Sequence, residues 1–467
     1  MSSISKDFTK GNTAKQLLFF MLPFMASNAL QVLYSTIDMI IVGKYVGDNA
    51  LSAVGSATPI LNLLLVLFIG ISMGASIMVA QHFGARQREE LSYTIGNCIT
   101  LTGIAVLIVM FLSLVVTRPL LDLLKTPDSI IEWCESYLLI SFLGSVGSAY
   151  YNILSGILRG LGDAFSALIY LVVATVLNII LDLVCIITFQ MGVAGAAIAT
   201  VASQLISGVF CLIYIVKRYE ILHISKEEWK PDLHYMKILC SMGVPMGLQY
   251  SISAIGSVIM QTALNGLGAM AVAATTAANK VSMFFGCPFD AMGTTMATYG
   301  GQNVGAKKIE RIGQGLRACL TVGFVYWVIS FIVMCIFGER LNALFVDSPD
   351  PEMMAQAQEF LLINGASFFL LALVNIVRYL IQGMGYSTFA ILAGVFELVA
   401  RTLAAIVLVP LFGFTGACFA SPQWAQASPL RCKWYTERNL LSGIFYTTKS
   451  RKIKSCCNKK LKNEHTQ

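Results

Sequence analysis

Apolar runs of the length that crosses a bilayer as a helix recur from Gln16 onward, divided by short polar or Gly/Pro-bearing breaks. They predict spans near 16–42, 51–80, 91–117, 131–158, 165–190 and 193–216, then a polar stretch at 217–236. A second set follows near 237–262, 270–300, 313–337, 356–382 and 388–410, with one more starting at about 413. The expected fold class is an all-α polytopic membrane protein. Its parts are an N-terminal six-helix lobe (1–216), a cytoplasmic linker (217–236), a C-terminal lobe (237–421) and a basic tail (422–467). The first run is too long for the apolar region of a cleaved signal, so it is read as a span.

Composition agrees with that pattern. Of 467 residues 56% are hydrophobic and 12% charged, with a mean hydropathy of +0.72. Soluble domains carry roughly twice that share of charge. With the N-terminus inside, the segments assigned to the cytoplasm up to residue 421 hold sixteen Lys/Arg, Arg159 and Arg378 among them; the outer segments hold four. That asymmetry orients the chain with its N-terminus cytoplasmic, and the expected location is the plasma membrane.

The two halves repeat. "AQHFGARQREEL" (80–91) aligns with "GQNVGAKKIERI" (301–312) at an offset of 221, and "GVAGAAIAT" (192–200) with "GFTGACFAS" (413–421) at the same offset. "RGLGD" (159–163) aligns with "QGMGY" (382–386) at 223, and Pro23 with Pro245 at 222. Six spans per half make these parallel repeats about an axis along the membrane normal, an arrangement of alternating-access transporters. Pro23 and Pro245 each remove a helix hydrogen bond in mid-span, giving a fixed kink or a gating hinge. Gly70–Gly74 and Gly156–Gly160 read as close helix packing.

Charges at bilayer depth cost a few kcal/mol or more, so each is a candidate for function. The predicted spans contain Asp38, Asp182, Lys280, Asp290, Glu397 and Arg401. Glu397 and Arg401 stand at i, i+4 and can pair on one helix. Lys280 and Asp290 serve the second half or lie near the interface. Asp38 and Asp182 have no basic residue within a turn of their own spans, and Asn178 shares a helical face with Asp182. Tyr137 and Asn152 in span 4 and Thr200 in span 6 are polar companions in the same half.

Twelve spans in two halves, an early proline in spans 1 and 7, and "QHFGA"/"QNVGA" closing spans 2 and 8 resemble the multidrug and toxic compound extrusion (MATE) family. "YSTIDMIIVGKYVGDNALSAVG" (34–55) looks like that family's first span and loop. The resemblance covers about residues 10–421. It is closer to the archaeal and DinF-like branches, where an Asp of span 1 converges with an Asn and an Asp of span 5 and a Thr of span 6. Asp38, Asn178, Asp182 and Thr200 match that pattern, Tyr137 and Asn152 more loosely. The NorM-like branch uses carboxylates of spans 7 and 10, where this chain offers Gln249 and Asn375.

The resemblance implies an H⁺- or Na⁺-coupled antiporter, monomeric and surrounded by lipid, exporting amphipathic organic cations from a cavity between the lobes. Two carboxylates in one low-dielectric pocket cannot both stay ionised without a counter-charge, so such a site takes up a proton. Alternatively the Asp, Asn and Thr oxygens form a hard-ligand set for a small cation such as Na⁺. Loading neutralises the charge, lets the lobe repack or bend at span 1, and weakens its hold on cargo. A polar clamp holding the bundle together is the bland reading of the same residues. Methionines such as Met21, Met25, Met246 and Met260 suit a permissive pocket or plain packing.

Other chemistry is not signalled. The twelve Cys show no CxxC, the four His form no cluster, and the glycine-rich pieces lack the context of a phosphate loop. No cofactor, nucleic acid or enzymatic activity is expected, and the energy source is an ion gradient. The alternatives are a lipid-linked oligosaccharide flippase of the same superfamily, with Lys280 and Arg401 as its basic groups, or a non-transporting protein.

The end of the chain breaks the pattern. "TVASQLISGVFCLIYIV" (200–216) has no apolar counterpart in "SPQWAQASPLRCKWYTE" (421–437). Residues 1–421 hold 22 Lys/Arg against 23 Asp/Glu, a net of −1, whereas the last 46 hold 10 against 2, a net of +8. A lipid-binding basic tail, a short divergent span around "LLSGIFY" (440–446), or a frame change near Ser421 each accounts for this. The abrupt junction favours the last, which removes one packing helix and predicts a less stable chain than one with an apolar twelfth span.

Overall fold

The computed structural model describes residues 6–123, 126–219, 228–345 and 350–419. The expectations for 420–467, the twelfth span and the basic tail, lie outside the described residues. Within them, helices run over α1 (Thr13–Tyr45), α2 (Asp48–Ala85), α3 (Arg88–Leu123), α4 (Asp128–Leu143), α5 (Ser145–Gly160), α6 (Ala164–Leu183) and α7 (Gly192–Arg218). The second set is α8 (Leu233–Asn265), α9 (Ala269–Gly305), α10 (Ile309–Ala343), α11 (Pro351–Gly383), α12 (Thr388–Leu403) and α13 (Val409–Phe419). There is no strand among the described residues.

Among them nine helices are long and apolar enough to cross a membrane, ten when α4 and α5 count as one span bent by 48°. The bend falls at Gly144, where a Cβ would strike the Val201 side chain, so the predicted span at 131–158 is a broken one. α9 adds another crossing by length, 37 residues or about 55 Å. Its Ala, Gly and Thr positions are buried against neighbouring helices rather than turned to lipid, which lowers the hydropathy it needs. Large apolar side chains along α3, α7, α10 and α12 (Leu107, Phe111, Phe210, Ile336, Leu403) face outward, as a lipid environment requires.

The duplication is written in the backbone as well. Left-handed or otherwise positive φ occurs at Gly47 and Gly268, Arg86 and Lys307, Gly162 and Gly385, and Gly192 and Gly413. The members of each pair are 221–223 residues apart, the offset of the motifs. A π-helical turn at Val184–Thr188 is matched by one at Ala404–Leu408. Matching turn geometry at these repeat-related positions means each half folds by one plan.

Two large apolar cores follow, one inside α2–α7 and one inside α9–α11 with the start of α1, and a small third cluster joins the end of α8 to α13. The halves meet where α2 approaches α8 and α9. Gly70 and Gly74 lie against the backbone of Gly243. Gly84 would drive a Cβ into the carbonyl of Gln302, and Gly305 would do the same to Gln81. Gln81 Nε2 donates to the Gly383 carbonyl at 2.8 Å, and Gln302 Nε2 to the Gly160 carbonyl at 3.1 Å. These contacts pin one end of the molecule, and between the lobes a cleft remains that extends to Ser35 and Met283.

Candidate functional site

The first candidate site is built from helical i, i+4 pairs, which put two side chains on one face. α1 supplies Tyr34 and Asp38, and α6 supplies Asn178 and Asp182. The two carboxyls face each other closely enough that a shared proton would join them. Asp182 and Asn178 are fully buried and Asp38 is 7% exposed. Asn178 Nδ2 donates to Thr200 Oγ1 of α7 at 3.4 Å. Tyr137 of α4 closes the neighbourhood of the two acids. Asp38 Oδ1, Asn178 Oδ1 and both Asp182 oxygens receive no hydrogen bond from any described residue. Buried acceptors without donors are costly, so this oxygen cluster suits a proton or a small hard cation.

The structure therefore brings Asp38, Asn178, Asp182, Thr200 and Tyr137 together. It adds Tyr34, whose hydroxyl lies by Thr200, Ser203 and both acids. Its position four residues before Asp38 was the available signal. Asn152 is not at the carboxylates. Its amide donates to the Ser148 carbonyl at 2.8 Å and its side chain lines the inter-lobe cleft. Pro23 and Pro245 sit inside α1 and α8, and both helices run unbroken through them. Ser27 Oγ donates to the Pro23 carbonyl at 2.8 Å.

The second candidate site is the cleft itself. At its closed end it is lined by Ser72, Asn152, Arg159, Tyr250 and Tyr379. A cavity of about 460 Å³ continues past Asn28, Gln31, Asp290 and Arg378. Arg159 and Arg378, assigned above to the cytoplasmic surface, belong here. Arg378 lies well inside α11 and Arg159 in the last turn of α5, where packing of two lobes, invisible to a linear count, turns the side chains inward. Fourteen of the sixteen cytoplasmic charges remain, so the asymmetry keeps its sign.

Asp290, one of the charges within the predicted spans, stands beside Asn375 of span 10. Asn375 Nδ2 donates to Asp290 Oδ1 at 2.9 Å, and Arg378 Nη2 to Asn375 Oδ1 at 2.8 Å. Gln249 accepts from Gln382 at 3.3 Å. Lys280 is exposed, its ammonium 5.8 Å from the Phe345 ring. Glu397 and Arg401 pair at 2.7 Å, both buried, as their spacing predicts.

A family profile described as MatE matches the chain twice, over residues 23–184 and 245–407, together well over half of its length and once per repeat. The chain belongs to the MatE family. As a MatE protein it is an integral, multi-pass membrane protein. It is 32% identical over 348 residues to a "Probable multidrug resistance protein YpnP" of Bacillus subtilis, covering 74% of this chain and 77% of that one. It is 23% identical to the "Multidrug export protein MepA" of Staphylococcus saprophyticus, covering 88% and 90%. Among solved structures, a "MATE P26A mutant" superposes with a TM-score of 0.88 over 96% of this chain and 100% of that one, at 22% identity. An "outward-facing conformation of a multidrug resistance MATE family transporter" does so at 0.87, over 96% and 100%, at 23%. These MatE neighbours share the two-lobed fold.

Proposed function

We propose that this chain is a multidrug efflux transporter: an antiporter in the plasma membrane, with its N-terminus cytoplasmic, that exchanges H⁺ or Na⁺ for amphipathic organic molecules bearing a cationic group. The names of its relatives support export of drugs. The observation that carries the coupling mechanism is the pair of buried carboxylates Asp38 and Asp182, in which Asp38 Oδ1 and both Asp182 oxygens lack a donor, because Asp38 stands on the same helix whose Asn28 and Gln31 line the cleft.

The cycle follows from that shared helix. On this reading the pinned end, bearing Gly84 and Gly305, is the cytoplasmic one, and the cleft opens at the opposite, outer end. Cargo leaves while the coupling ion enters the carboxylate pocket. Neutralising the pocket removes the repulsion between Asp38 and Asp182 and lets α1 close onto α6. That movement draws Asn28 and Gln31 away from their place on the cleft wall. The ion and the cargo thus favour different packings of one helix, which is what coupling requires. Thr200 and Asn178 orient the pocket, and Pro23 supplies a weak point in α1 where one helix hydrogen bond is missing.

The test is ethidium efflux from proteoliposomes under an imposed H⁺ or Na⁺ gradient, comparing the chain with Asp182→Asn. Gradient-driven efflux is expected to disappear in the variant, and the gradient that supports it names the ion. Efflux undiminished in Asp182→Asn would move coupling to another site, with Asp290 the next candidate.

A further inference from the structure

The cleft is not lined for a simple cation. Of its charged side chains, Asp290 is an acid, and Arg159 and Arg378 are bases. Arg378 is held in place by its neighbours: Nη2 reaches Asp290 through the Asn375 amide, and its guanidinium lies 4.9 Å from the Tyr379 ring. Arg159 has no such partner. Among the described residues it makes one hydrogen bond, Nη2 to Ser72 Oγ at 3.5 Å, and no carboxylate stands within ion-pair distance.

The surroundings keep that charge in position while leaving its donors free. Arg159 is in the last turn of α5, where the carbonyl end of a helix favours a cation. Ser72 is itself fixed, donating to the Asn152 carbonyl at 2.6 Å. A guanidinium offers five N–H groups in a planar fork that matches a carboxylate. The hydroxyls of Tyr250 and Tyr379, which line both this end and the wider part holding Asp290, meet at 2.8 Å.

We propose that Arg159 is an anion subsite of the transport cleft and that the cargo is an amphipathic zwitterion, its carboxylate on Arg159 and its cationic group toward Asp290. The inference rests on the efflux reading and narrows its cargo class. A carboxylate entering this site exchanges water for a charge-assisted, bidentate contact at low dielectric, whereas an ester or a plain cation leaves the guanidinium desolvated and unpaired.

Rhodamine B and its ethyl ester share one cationic chromophore and differ in the free carboxylate, so they form the probe pair. The full chain in phosphatidylcholine nanodiscs is titrated with each dye by fluorescence anisotropy. The acid is expected to bind about tenfold more tightly than the ester. Arg159→Gln should abolish the difference by weakening the acid alone, and Arg159→Lys should keep part of it. Equal or tighter binding of the ester by the unaltered chain would overturn the proposal, even if Arg159→Gln does not fold. So would a preference that survives Arg159→Gln. Loss of acid binding when phosphatidylglycerol replaces phosphatidylcholine would overturn it in favour of a lipid headgroup at Arg159. Binding needs no gradient, so acid preference without efflux would sink the efflux reading alone. Efflux without acid preference would sink this proposal alone.

Discussion

Asp182 and Arg401 are both charged groups at membrane depth, and the fold treats them in opposite ways. Arg401 is compensated on its own helix by Glu397 at 2.7 Å and also donates to the Ser253 carbonyl at 2.8 Å and to Ser257 Oγ at 3.0 Å. Asp182 is compensated by nothing among the described residues. The first arrangement is self-contained, and the second leaves the carboxylate open to the loading proposed above. Removing one partner of a buried pair strands the other, at a cost of about 3–5 kcal/mol, whereas replacing both with apolar residues is often neutral or better. Glu397→Leu is therefore expected to lower the thermal midpoint strongly in detergent, and Glu397→Leu with Arg401→Met to restore most of it. A double variant as unstable as the single one would mean that Arg401 matters chiefly through Ser253 and Ser257. Both the Glu397–Arg401 pair and the Asn178–Asp182 face were legible in the sequence, since i, i+4 spacing is a property of one helix. Asp290 beside Asn375, and Arg159 in the cleft, were not, because those meetings depend on how separate helices pack.

At the scale of elements, the repeated Gln-x-x-Gly of "QHFGA" and "QNVGA" receives a physical explanation. Repeat-related residues meet each other: Gly84 touches the Gln302 backbone while Gly305 touches that of Gln81. Gln81 then bonds to Gly383, and Gln302 to Gly160, themselves a repeat-related pair. The motif places α2 and α9 in direct backbone contact on the axis relating the two lobes. Sequence comparison of the halves revealed the repeat, and the backbone confirms it at four pairs of positive-φ residues, but a linear alignment cannot show that its motif is an interface with itself. Gly84→Ala and Gly305→Ala should each force the crossing apart, costing about 1–3 kcal/mol as overpacking does. Gly313→Ala is the control. It lies in the second turn of α10 with open space around it, so it should be neutral or stabilising. Thermal unfolding of the three single variants compares them. A midpoint for Gly84→Ala and Gly305→Ala as high as for Gly313→Ala would show that the helices can separate freely at this point.

At the scale of the whole molecule, the pinned end is held by more than this crossing, because the segment before α1 spans both lobes. Lys6 N donates to the Gly162 carbonyl at 3.1 Å on the N-terminal lobe, and Phe8 N to Gln302 Oε1 at 3.0 Å on the other. The Phe8 ring is fully buried, edge-on to Phe20 at 4.9 Å and to Tyr299 at 5.8 Å. Lys308 Nζ caps the Thr9 carbonyl at 2.7 Å, and Arg311 reaches the carbonyls of Phe8, Lys10 and Gly11 at 3.1–3.3 Å. An alternating-access cycle must break these contacts once per turn, so the segment adds to the free energy that separates the two facing states. Losing the Phe8 side chain removes about 3–5 kcal/mol of packing from the segment that ties the two lobes together in this state. Spin labels at Arg88 and Ile309, repeat-related positions that begin α3 and α10 at this end, report the separation of the lobes. Phe8→Ala should add a longer-distance population to the label-to-label distribution and shift the balance toward the state open at this end. An unchanged distribution would assign the whole of the closure to the α2–α9 crossing, and Gly84→Ala should then produce the longer distance by itself.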